Sequence, residues 1–190
     1  MGSVGGQDVE AAVAEMVRVL LPCADADWHV PAGSLEWSCW ETAAHVTHDL
    51  AAYAGQVAGG ATSSYLPFDL VVSPSPPRDA LEVIEACGRL LSGAVELAGP
   101  GTEAWHWGMS DVAGFAAMGV AEVLVHTHDI TQGRGVPWRP PDALSQLVID
   151  RLLPDAPHAR ASDVLLWATG RADLDGHPRV TDWVWQAARS

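Results

Sequence analysis

The chain has 190 residues, of which 48% are hydrophobic and 18% charged, so it suits one ordinary folded domain with an ample core. Its formal net charge is −14 and all 10 basic residues are arginine; this negative field argues against binding nucleic acid or an anionic membrane, since phosphate binding needs a basic face. Cys23, Cys39 and Cys87 are odd in number and lack CxxC spacing, the opening MGSVGGQDVE makes no secretory or myristoylation signal, and no apolar run is long enough to span a membrane. The expectation is therefore a soluble cytoplasmic protein with free thiols, either monomer or homodimer.

Four segments read as long helices. Val13, Met16, Val17 and Leu20 form one stripe of a helix from about Val9 to Leu21, stopped by Pro22. Ser38 with Glu41 is a capping-box pattern that opens a second helix, which runs to Val57 and ends at Gly59-Gly60. A Ser- and Pro-rich connection, Gly59 to Pro77, reads as an ordered crossover because Tyr65 to Val72 is apolar enough to pack. The third helix runs from Arg78 to Leu97. The fourth starts at Ser110 or Asp111 and continues to Gln132, with Gly133 as its stop. Two shorter helical patterns follow, Asp142 to Leu153 and Ser162 to Thr169, and then an irregular end in which Val180 to Trp185 reads as a short strand. The economical fold is an all-α antiparallel four-helix bundle over residues 1–135, with 136–190 as a short helical and irregular extension packed on it.

The fourth helix carries the chemistry. Glu122 and His126 are spaced i, i+4 and share one face, with Asp129 on the same stripe. Val120, Val123, Leu124, Val125 and Ile130 make this stretch apolar nearly all round, where an unpaired glutamate and histidine are costly unless they hold a partner or a metal. The second helix offers His45, with His48 and Asp49 on its face. Carboxylate and imidazole groups projecting from facing helices are a known way to build a metal site in a bundle. Two imidazoles and one carboxylate would leave a position open for water or substrate.

Three segments together resemble a known family. Trp37-Ser-Cys-Trp-Glu-Thr-Ala-Ala-His45-Val is similar to the start of the second helix in DinB-like proteins, and more narrowly in the mycothiol-dependent maleylpyruvate isomerase group. Glu122-Val-Leu-Val-His126-Thr-His-Asp129-Ile resembles that group's Glu-x-x-x-His-x-x-Asp pattern, and Leu165-Leu-Trp-Ala-Thr-Gly-Arg171 its recurring leucine-rich tail. The resemblance covers residues 8–135 in order. It implies a four-helix bundle with a divalent metal, zinc by its donor set, on His45, Glu122 and His126. It also implies mycothiol as co-substrate, so that these ligands would act catalytically through the metal. The tail is too short for the separate C-terminal domain of the founding isomerases, so maleylpyruvate is not the expected substrate.

Other residues carry weaker readings. His48, Asp49, Asp129, Trp40 and Trp107 are candidates for holding the ligands or lining the pocket, Asp49 and Asp129 by orienting imidazoles. Asp129 is also a candidate, on the resemblance, for meeting mycothiol's amine or hydroxyls. Trp37, Trp105 and His106 are further pocket candidates, while Trp167, Trp183 and Trp185 read as ordinary packing. His128 points away from His126 on a helical wheel and reads as a non-ligand. Cys39 reads as a buried small residue rather than a nucleophile. Arg134, Arg139 and Arg171 are the candidates for holding an anionic group, and the sequence does not choose among them. The expected function is a metal-dependent thiol transferase or isomerase on a small molecule. The alternatives are a thiol-independent metal enzyme and a non-catalytic metal-binding stress or partner protein.

Overall fold

The computed structural model describes residues 3–183 and 187 and is mostly helical. Its elements in order are α1 (Gly6–Leu20), a short 3-10 turn (Leu21–Cys23), α2 (Cys39–Gly59), α3 (Pro77–Leu97), β1 (Glu103–Trp105), β2 (Met109–Asp111), α4 (Val112–Arg134), α5 (Asp142–Leu152) and α6 (Ala161–Ala168). Helices α1 and α2 each pack against both α3 and α4. Val9 and Met16 of α1, Leu50 of α2, Ile84 and Leu91 of α3, and Phe115, Met118 and Leu124 of α4 meet in one core. Helix α4 is buried along almost its whole length, which explains why its apolar residues show no single stripe.

Local chemistry accounts for the helix ends. Ser38 accepts a hydrogen bond from the Glu41 N–H while Glu41 accepts one from the Ser38 N–H, so the expected capping box opens α2. Helix α1 begins at Gly6 rather than Val9, because the Asp8 carboxylate takes the Gly5 N–H at 2.9 Å and Glu96 of α3 takes the Gly6 N–H at 3.1 Å. Helix α4 passes through Gly133 and ends at Gly135, whose φ of +65° suits a left-handed cap. Gly133 has another role. A side chain there would collide with the Pro31 carbonyl and the Cys39 sulfur, so its missing Cβ lets the entrance to α2 pack directly on α4.

The hairpin β1–β2 was not expected from the sequence. Its strands pair antiparallel, with Glu103 opposite Asp111, and its turn places Trp107 at φ +51°. Asp111 then caps α4 by accepting from the Gly114 N–H. Arg151 of α5 reaches back to Asp111 at 2.9 Å and donates to the Ala187 carbonyl at 2.7 Å, fastening the C-terminal part to the start of α4. Of the strand expected over Val180 to Trp185, residues 180–183 form no strand, and the remainder lies outside the described residues. Among the described residues no helix is long and apolar enough to cross a membrane.

Candidate metal centre

Helices α2 and α4 bring the expected ligands together. One ligand atom from each of His45, Glu122 and His126 lies within 4.8 Å of the others. Glu122 Oε2 stands 3.2 Å from His126 Nε2 and 3.7 Å from His45 Nε2, and the two imidazoles meet edge-on with centroids 5.0 Å apart. Glu122 and His126 are buried, and His45 stands at the edge of the cluster. A cavity of about 480 Å³ opens in front, bounded by Trp37, Trp107, Arg171 and Trp183.

Each buried ligand is held from behind. His126 Nδ1 donates to Asp129 Oδ2 at 3.0 Å, which makes Nε2 the nitrogen that faces the cluster. Asp129 is in turn gripped by Arg171 through two donors, at 2.8 and 3.2 Å. Arg171 also donates to the Thr169 carbonyl at 2.8 Å and lies over the Trp183 ring. The Tyr53 phenol, one helical turn beyond Asp49 on α2, lies beside Glu122.

The electrostatics agree with a cation site. Burial by itself would lower the His126 pKa, but the hydrogen bonds to Asp129 and Glu122 outweigh it and raise it to about 9. Asp129 shows the mirror image: burial alone would raise its carboxyl, yet His126 and Arg171 together hold it below its usual value. Asp49 is pushed up, first by burial and then by the nearby Glu122 charge. The Tyr53 phenol is pushed far up, chiefly by burial and then by Glu122 and Asp49. A buried imidazole and carboxylate that share a proton this way present nitrogen and oxygen donors to one point. That donor set is one a divalent ion accepts.

The remaining expected residues divide. Asp49 does not sit behind the His45 ring. Its Oδ2 lies 3.3 Å from the same Nε2 that faces Glu122, so it belongs to the open side. His48 bridges Asp49 and Asp69, each at 3.0 Å, and lines a neighbouring cavity. Trp107 lines the cavity in front of His45, Glu122 and His126, whereas Trp40 donates its indole N–H to the Ser75 carbonyl and borders a shallow cleft beside His45 and His48. Trp37 packs its ring on His45 at 4.8 Å, and Trp105 packs on Trp107. His128 lies outside the three-residue group. Burial pushes the Cys39 thiol up to about 11, against the character of a nucleophile.

Among the three arginines, Arg134 donates to the Asp27 carbonyl, Arg139 pairs with Asp163, and Arg171 alone of them borders the site. Trp183, read as packing, borders it as well, while Trp167 donates to the Pro178 carbonyl. Trp185 lies outside the described residues. The sequence reading missed Tyr53 and Tyr65. For Tyr53 a signal was present, since His45, Asp49 and Tyr53 recur every four residues along one face of α2. No family model, curated protein or solved structure matches the chain.

Proposed function

We propose that the chain is a zinc enzyme with a DinB-like four-helix bundle that acts on a small thiol, mycothiol being the thiol that the sequence resemblance implies. One observation carries this reading: two imidazoles and one carboxylate converge at the floor of an open cavity, with a side left for a ligand from solution. A divalent ion held there would lower the pKa of a coordinated thiol or water. The chain's own residues supply the rest. Asp129 and Arg171 fix the tautomer and direction of His126, and the Tyr53 phenol stands beside Glu122. Trp37 and Trp107 flank the cavity, and Asp49 stands on its open side as a carboxylate able to take a proton.

Protein purified without chelator is expected to carry stoichiometric zinc by elemental analysis, and a His126→Ala variant to lose most of it. Zinc-loaded protein should consume mycothiol in the presence of test electrophiles faster than that variant does. Equal rates would overturn the thiol reading, and absence of bound metal would overturn the metal reading. The position of Asp49 also favours a second reading, in which the site acts on a small metabolite without a thiol. Turnover that requires metal and ignores added thiol would select it.

A further inference from the structure

A second cavity, of about 340 Å³, lies beside the first and shares Asp49 and His106 with it. Its volume is at the lower end of the range for small-molecule sites. Tyr53, Tyr65, Leu66 and Phe68 give it aromatic and aliphatic walls. No arginine borders it among the described residues. Its polar lining includes the Asp49 carboxylate, whose two oxygens can accept further hydrogen bonds beside those to His48 and His45.

The cavity is built rather than incidental. Gly55 and Gly59 face the crossover connection, and an added Cβ at Gly59 would come within 2.8 Å of Leu66, while at Gly55 the Phe68 ring is nearest, 2.5 Å away. A glycine inside a helix, as Gly55 is, is destabilising unless its space is used, and here Phe68 uses it, while Leu66 packs on Gly59 at the helix end. Gln56, between them, spends its whole amide on the cavity's rim. It donates to the Trp105 and Ser64 carbonyls and accepts from the Leu66 N–H at 2.8 Å, tying the connection and the hairpin to α2. Tyr65 and His106 close the same rim with a hydrogen bond between their side chains.

We propose that this cavity binds a small aromatic molecule, cationic or uncharged, whose amine or hydroxyl donates to Asp49. The walls suit one ring. Asp49 is the one carboxylate among the described lining residues and no arginine faces it, so with His48 and His106 as the other ionisable groups the walls disfavour carboxylates and phosphates. Because Asp49 reaches both cavities, the donor group of the ligand would stand next to His45. A role for that ligand as the second reactant rests on the zinc reading above, whereas its binding does not.

The test uses the full chain with tyramine as the probe and 4-hydroxyphenylacetate as its anionic counterpart. Dissociation constants come from ligand-observed NMR titration, with zinc content measured in parallel. Tyramine is expected to bind at least about tenfold more tightly than the anion. Ala52→Trp, which fills the cavity from α2, and the milder Ala52→Leu should each weaken it about tenfold or more while leaving zinc content unchanged. Equal or tighter binding of the anion overturns the ligand class. Tyramine binding that is absent, or that survives both substitutions in folded protein, overturns the site. Loss of zinc from wild type with tyramine binding intact would count against the zinc reading and leave this proposal supported.

Discussion

Asp129 accepts a hydrogen bond from His126 through the ring nitrogen that does not face Glu122, at 3.0 Å. This contact decides which imidazole nitrogen keeps its lone pair. Asp129→Asn would preserve the shape but weaken the acceptor. Zinc affinity, measured by competition with a chromophoric chelator, is expected to fall by ~10–100-fold. Arg171→Leu, acting one step further back, should cause a smaller loss. Unchanged affinity in Asp129→Asn would remove the orienting role.

Proton competition sets the pH dependence. In metal-free protein the His126 pKa is raised to about 9, so a proton must leave before the nitrogen can ligate. Zinc affinity should therefore rise by roughly tenfold per pH unit for that one displaced proton, flattening above about 9. Stability of the metal-free protein should move the other way. A raised folded-state pKa stabilises fully below the unfolded value of ~6.5, and that contribution is lost as pH rises through about 9. Denaturant titrations across this window should show the decline, and His126→Ala should flatten it.

Tyr53→Phe removes the phenol hydroxyl beside buried Glu122. Glu122 keeps His126 beside it, so the loss is that of one polar interaction with a charged group, ~1–3 kcal/mol. The chemical-denaturation midpoint of the metal-free protein should fall accordingly, with little change in the slope. A midpoint equal to wild type would show that Glu122 is satisfied without Tyr53.

Ser38→Ala deletes the side-chain acceptor of the capping box that opens α2. The expected loss is about 1 kcal/mol of stability. Because α2 carries His45 in its second turn, the same substitution should also weaken zinc binding slightly, by well under the Asp129→Asn effect. Thermal unfolding with and without zinc separates the two contributions.

Much of the helical layout was legible because its signals are local. The Ser38–Glu41 capping box and the start of α3, expected at Arg78 and found at Pro77, are set by residues within a turn of each other. The hairpin was not legible, since its strands span only Glu103–Trp105 and Met109–Asp111 and show no alternation long enough to read. Gly133 was misread as a stop. Its role depends on Pro31 and Cys39, which are distant in sequence, and the helix terminator is Gly135.

Helical spacing alone puts Glu122, His126 and Asp129 on one face of a helix, because 3.6 residues per turn leaves no other arrangement. It also determined that His45 and Asp49 lie one turn apart on another. What those faces meet comes from the packing of distant segments: Glu122 against His45, Arg171 on Asp129 from 42 residues away, Tyr53 beside Glu122, and Asp49 on the open side of the cluster. Helical periodicity fixes directions along one element. Packing between elements, governed by the shapes of many side chains at once, sets the distances that make a site.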